Sequence, residues 1–129
     1  MLAEEMPLTQ RKEELKKMAD AYEGKHAPQV ELQDQSALYH LMPPAGWLND
    51  PNGLCWYKGR YHVFFQYSPF TPQGGMKMWG HYSSPDLLHY EYHGIAIVPD
   101  EAYDRDGVYS GSAICRGDKL YVFYTGNVK

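Results

Sequence analysis

The sequence is poor in the features that mark several protein classes. It holds two cysteines, Cys55 and Cys115. That is too few for a disulfide framework, and two reduced thiols in a cytoplasmic chain are a simpler reading than one bridge. No apolar run approaches the roughly 18–20 residues that cross a bilayer, so no membrane partner is expected. Met1 to Ala21 is charged throughout and lacks the apolar stretch of a secretory signal, which also points to a cytoplasmic location. The net charge is −4, with acids and bases nearly balanced and no basic stripe, so nucleic acid is not an expected partner either. Nothing matches a Gly-x-x-x-x-Gly-Lys nucleotide loop, a His-Glu-x-x-His or a paired Cys-x-x-Cys. His89 and His93 are four apart, but Leu87 to Val98 alternates as a strand does and gives them no helical face to share. No metal and no cofactor is expected.

What is present falls into two parts. Residues 8–22 read as a helix, with Leu8, Leu15, Met18, Ala19 and Tyr22 on one face and Arg11, Lys12, Glu13, Lys16 and Lys17 on the others. Thr9 is the candidate N-cap, Glu13 and Lys17 form a supportive pair, and Gly24 supplies the stop. Lys25 to Ser36 is polar and unpatterned, as a linker is. Helix and linker thus occupy residues 1–36, and a second region occupies 37–129. From Tyr39 onward the chain is rich in aromatics, Gly and Pro, with short strands and turn signals, and the expected class there is all-β.

Two stretches of this region resemble each other, Gly53 to Tyr67 and Gly111 to Thr125. Each is a strand, a charged Gly-containing turn and an apolar-aromatic strand. Tyr61 to Phe65 and Leu120 to Tyr124 are nearly continuous apolar runs, which predicts strands covered on both sides. Repeated multi-strand units of this kind suggest the blades of a propeller. The chain holds one to two blades, and it stops directly after a strong strand. The expectation is a piece of a larger propeller, unstable if expressed alone.

Trp47-Leu-Asn-Asp-Pro-Asn-Gly53 is the sharpest local feature. Asp-Pro and Asn-Gly are both turn formers. From turn chemistry alone, Asp50 reads as a capping residue. Asp86, in Ser-Pro-Asp-Leu, reads the same way, and Asp100, Asp104 and Asp106 read as a solvated acidic loop.

His40-Leu-Met-Pro-Pro-Ala-Gly-Trp-Leu-Asn-Asp-Pro-Asn-Gly53 closely resembles the opening motif of glycoside hydrolase family 32, the invertases, sucrose-6-phosphate hydrolases, levanases and inulinases. The resemblance continues in order through Tyr61-His-Val-Phe-Phe-Gln-Tyr67, Trp79-Gly-His-Tyr-Ser-Ser-Pro-Asp-Leu-Leu-His89, Ile95-Ala-Ile-Val-Pro-Asp100, Tyr109-Ser-Gly-Ser-Ala113 and Tyr124-Thr-Gly-Asn-Val128. It implies a five-bladed β-propeller around a central pocket, with the β-fructosidic bond of sucrose or sucrose 6-phosphate hydrolysed with retention and without a cofactor. By this resemblance Asp50 is the nucleophile. Asn49 and Gln66 hold fructosyl hydroxyls, Tyr109 and Ser110 line the pocket, and Trp47, with Leu48 beside it, forms its apolar rim. Trp79 is a candidate substrate contact, but packing is the stronger reading of it. Where many members carry a bordering Trp, this chain has Gly74, which leaves the aglycone side unspecified.

The family's Arg-Asp-Pro and Glu-Cys motifs, which bring the stabilising Asp and the acid/base Glu, are expected beyond Lys129. A nucleophile without its acid partner is not expected to turn over substrate. Two alternatives stay open: a noncatalytic carbohydrate-binding module on the same blades, and a fructosyltransferase. Sequence leaves the oligomeric state undefined.

Overall fold

Both strand–turn–strand stretches fold as hairpins, and two-residue turns set their register. In this computed structural model, which describes residues 6–31 and 41–129 and of residues 27–31 the backbone alone, β1 (Trp47–Tyr57) pairs antiparallel with β2 (Arg60–Ser68). The turn residues Lys58 and Gly59 have φ of 47° and 75°, the left-handed pair that a tight hairpin needs. β3 (Met78–Ser84) and β4 (Glu91–Ile97) extend this into a four-stranded meander in the order β1-β2-β3-β4. A second sheet is a single hairpin, β5 (Gly107–Arg116) with β6 (Lys119–Asn127). The β region is all antiparallel, and one helix, α1 (Leu8–Glu31), precedes it.

The four-stranded sheet is covered on both faces, and most of β2 and β3 is buried as a result. On one face Phe65, Tyr67, Met78, Tyr82, Ile95 and Val98 pack with Leu15 and Ala19 of α1. On the other, Phe64 and Trp79 pack with Val108 and with half-buried Leu120, Val122 and Tyr124 of the hairpin. Among the described residues the β5–β6 hairpin is covered on this side only. Its outward residues Ile114, Tyr121 and Phe123 are 58%, 43% and 60% exposed, so the expectation of a fully covered Leu120–Tyr124 strand is met on one face.

The helix departs from the sequence reading in three ways. Its buried stripe is Arg11, Leu15, Ala19 and Glu23, while Met18 is exposed. Arg11 belongs inside because its Nη1 donates to the carbonyls of Arg105 (2.7 Å) and Pro99 (3.4 Å), and Glu23 because it accepts from the Tyr92 hydroxyl at 2.8 Å. Thr9 is not the cap. The helix starts at Leu8 behind Pro7, whose carbonyl accepts the Gln10 N–H, and a proline there gives up no intrahelical bond. Gly24 does not stop the helix, which runs to Glu31. Glycine costs about 1 kcal/mol in a helix interior, and contacts beside it offset that: Glu23 to Tyr92, and the Tyr22 ring stacked on His26 (3.8 Å) and edge-on to Phe70 (5.9 Å). The first part of the expected linker is therefore helical. Residues 32–36, the boundary at 36/37, Tyr39 and His40 lie outside the described residues, as do 1–5.

Of the stretch Leu87 to Val98, β4 takes Glu91–Ile97. The bend before it is organised by Asp86, whose Oδ1 accepts the N–H groups of Leu88 and His89 at 2.9 Å each, as expected of a turn residue. Those bonds and the His89 ring hold the Asp86 carboxyl far below the usual range. No helix among the described residues is long and apolar enough to cross a membrane.

Candidate active site

A strand should alternate, and β1 does not: Asn49, Asp50 and Pro51 are exposed in succession, and Asn52 and Gly53 are both buried. The cause is a register slip. Leu48 pairs with Tyr67 and Pro51 with Phe65, so Asn49 and Asp50 together oppose Gln66. This is a β-bulge, which re-aims side chains and lets Pro51 sit in a strand without the N–H that a regular ladder requires. A second slip follows between Asn52 and Cys55, around Gly53 at φ 57°. A Cβ on Gly53 would meet the Phe64 ring at 2.8 Å, so this backbone and this packing both select glycine. The Asn52 amide donates to the Asp50 carbonyl at 3.1 Å and fixes the kink.

The second sheet supplies a matching irregularity. Tyr109 pairs with Thr125 and Gly111 with Tyr124, which leaves Ser110 as the extra residue of β5. A Cβ on Gly111 would lie 1.8 Å from the Phe123 carbonyl oxygen, so the close approach of β6 requires glycine there. The Ser110 hydroxyl donates to Asp50 Oδ2 at 3.1 Å. Two bulged residues from two different sheets thus meet over an open cleft of ≈ 380 Å³, walled by Asp50, Asn52, Leu54, Ser110, Ser112 and Ala113 among others.

The structure sorts the other residues expected at the site. Asn49 is exposed beside Asp50, and Gln66 is buried opposite the bulge. Tyr109 is half-buried, with its ring against Gly107. Trp47 is half-buried at the start of β1, with Lys77 Nζ 4.5 Å over its ring. Leu48 is half-buried against the helix-side core, so it turns away from the cleft. Trp79 is a correction to the substrate-contact reading. It is 0% exposed and packs under Phe64, so no sugar reaches its indole. Its Nε1 instead donates to the Tyr109 carbonyl at 3.1 Å, which anchors β5 one residue before Ser110.

The start of β5 is held further by Val108 N–H to the Lys77 carbonyl at 2.8 Å and by Asp104. The acidic loop is not simply solvated: Asp104 is 0% exposed, and its carboxylate accepts the Glu101 N–H (2.8 Å) and the Tyr124 hydroxyl (2.7 Å). Burial and the bonds to Tyr103 and Asp104 raise the Tyr124 phenol far above its ordinary range.

Asn52 is the wall residue that sequence reasoning passed over, because Asn-Gly reads as turn chemistry. It is buried, and its Oδ1 has no hydrogen-bond partner among the described residues.

Chemically, the cleft offers one carboxylate steadied by a hydroxyl, with the Asn52 amide beside it in the wall. A retaining glycosidase needs a carboxylate like this and a second carboxyl about 5–5.5 Å away. Among the described residues Asp50 is the only carboxylate in the cleft wall. No group of ligating side chains among them could hold a metal ion.

Known proteins share this arrangement of strands. The family profile described as "Glycosyl hydrolases family 32 N-terminal domain" matches residues 40–129. The sucrose-6-phosphate hydrolase of Bacillus subtilis (strain 168) is 43% identical over 122 residues, which is 95% of this chain and 26% of that protein. The structure of sucrose-6-phosphate hydrolase from Lactobacillus gasseri superposes with a TM-score of 0.78 at 44% identity, over 84% of this chain and 22% of that one. A mutant of the Bombyx mori GH32 beta-fructofuranosidase, solved in complex with sucrose, superposes at 0.76 with 35% identity, over 88% of this chain and 24% of that one. The chain therefore spans about a quarter of the length of these relatives. The profile match covers every strand described above and the whole cleft, and on that ground the chain belongs to glycosyl hydrolase family 32, with residues 40–129 lying in its N-terminal domain.

Proposed function

We propose that this chain carries the nucleophile of a retaining β-fructofuranosidase that hydrolyses sucrose 6-phosphate or sucrose, and that β1–β4 form the first blade of a five-bladed propeller of which β5 and β6 begin the second. The observation that carries this reading is the Ser110–Asp50 contact. A mere turn residue would stay in its own bend, whereas here the Asp50 carboxylate stands in an open cleft and takes a donor from another sheet. The relatives named sucrose-6-phosphate hydrolase supply the substrate class.

In this mechanism an Asp50 oxygen attacks the fructosyl anomeric carbon. The bond to the glucosyl oxygen breaks, and that oxygen takes a proton from an acid outside the residues described here. Water then hydrolyses the fructosyl ester and restores the carboxylate. In this reading Asn49 and Gln66, which oppose each other across the bulge, bind fructosyl hydroxyls whose contacts tighten in the oxocarbenium-like transition state. Cys55 and Cys115 are free thiols, which suits a reducing, cytoplasmic setting.

The test is the complete gene product assayed for release of glucose 6-phosphate and glucose, beside its Asp50→Asn variant. Loss of kcat by about 10³-fold or more is expected, since the variant removes the nucleophile. Near-wild-type turnover by Asp50→Asn would overturn the assignment. A wild-type protein that binds these sugars and hydrolyses neither would make it a carbohydrate-binding module instead. Transfer of fructose to sugar in preference to water, read from product analysis, would make it a fructosyltransferase.

A further inference from the structure

Beyond the residues that meet the fructosyl unit, we infer that Lys77 binds the phosphate of a phosphorylated disaccharide on the Trp47 side of Asp50; this rests on the hydrolase reading above. Lys77 precedes β3, yet it touches both strands that carry the site. Its carbonyl accepts the Val108 N–H at 2.8 Å, two residues before Ser110. Its Nζ lies 4.5 Å over the ring of Trp47, three residues before Asp50. Three strand residues span roughly 10 Å, and the bulge shortens that. The lysine thus stands about one disaccharide away from the carboxylate that would attack the fructosyl carbon.

The surroundings of this ammonium suit an anion. It has three donors, of which one goes to the Gly75 carbonyl at 3.0 Å. No carboxylate forms an ion pair with it among the described residues. The Trp47 face fixes the cation without neutralising it. The flank beside it is kept open by Gly74. A Cβ there would come within 3.3 Å of Nζ and 3.4 Å of the Trp47 ring, and the backbone at φ +85° disfavours a side chain in any case. A phosphomonoester approaching along that flank meets a half-desolvated lysine and forms charge-assisted N–H···O bonds. A neutral hexose gains nothing comparable. This fills the aglycone side that Gly74 leaves open in the sequence.

The experiment compares kcat/KM of the complete gene product on sucrose 6-phosphate and on sucrose, for wild type, Lys77→Gln and Lys77→Arg. Lys77→Gln is expected to lower the ratio of the two by roughly tenfold to a hundredfold, the scale of one bond to a charged group, mainly through KM for the phosphorylated sugar. Lys77→Arg should restore most of the ratio. An unchanged ratio in Lys77→Gln overturns the inference while leaving the hydrolase reading intact. Wild type that hydrolyses neither sugar fails at the earlier step and sinks both. Should Lys77→Gln not fold, wild-type inhibition decides: glucose 6-phosphate should inhibit sucrose hydrolysis at least tenfold more strongly than glucose, and equal inhibition by the two overturns the assignment.

Discussion

Asp50 and Ser110 are each the surplus residue of a bulge, and this explains why two short side chains on separate sheets reach each other. Under the proposed hydrolase function the contact serves the reaction more than folding, because both residues face the cleft and neither sits in the core. Ser110→Ala in the complete gene product is therefore expected to lower kcat/KM by about tenfold, the scale of one hydrogen bond to a charged group, with the melting temperature within about 2 °C of wild type. Parallel kinetic and thermal measurements check this, and a large drop in melting temperature with unchanged kinetics would show that the contact is structural. At this scale the sequence was informative where a residue announces its backbone. Pro51 within a strand, Gly53 and Gly111 all signal broken alternation, and the ordered motifs pointed to Asp50 and Ser110. It was silent on facing. Trp79 stands in a motif beside chain that lines the cleft, but whether its indole looks at a sugar or into the core depends on the hairpin laid over it, and no local pattern encodes that.

At the level of elements, α1 is legible as a helix that docks one face on the sheet, but the residues on that face differ from the sequence reading. Leu15 and Ala19 were assigned inward correctly, whereas Arg11 was placed outside and Glu23 was not considered. A charged side chain is buried only when partners elsewhere satisfy it, and here those partners are the carbonyls of Pro99 and Arg105 and the hydroxyl of Tyr92, all distant in sequence. Burial raises the Glu23 pKa above its usual 4.5. A carboxyl whose folded pKa is raised stabilises fully below its unfolded pKa and loses that stabilisation as pH rises through the folded value. Glu23→Gln keeps an acceptor for Tyr92 and removes the buried charge. It is expected to raise the melting temperature by several degrees at pH 7, with the gain shrinking as pH falls toward 4.5. Thermal melts of both proteins across this range decide the matter, and a variant less stable than wild type at pH 7 would contradict it. The comparison is made at each pH because His81 acts in the opposite direction. Burial and its neighbours His93 and His62 lower its pKa from 6.5 to about 4. Its contribution is thus present above 6.5 and lost as pH falls toward 4, in wild type and variant alike.

For the whole molecule, the informative asymmetry is between the two sheets. The four-stranded sheet has a helix on one face and a hairpin on the other, and the nearly continuous apolar run of β2 reflects this. The β5–β6 hairpin carries the same kind of run, but its outer face of Ile114, Tyr121 and Phe123 is open to solvent. Among the described residues β6 is also an edge strand, paired with β5 alone. In relatives about four times longer, more chain is available to cover such a face. An uncovered apolar face next to an open sheet edge is a template for self-association. The 129-residue chain on its own is therefore expected to associate as its concentration rises through the micromolar range, which sedimentation velocity reads directly. Phe123→Lys with Tyr121→Lys places two like charges on the outer face, one opposite Ser112 and one opposite Ile114, and leaves the inward Leu120, Val122 and Tyr124 in place. The double variant should sediment as a monomer with an unchanged far-ultraviolet circular dichroism spectrum. A wild-type chain that stays monomeric at 100-fold higher concentration would mean that this face is stable in water, and the apolar run in β6 would then need another explanation than packing against further chain.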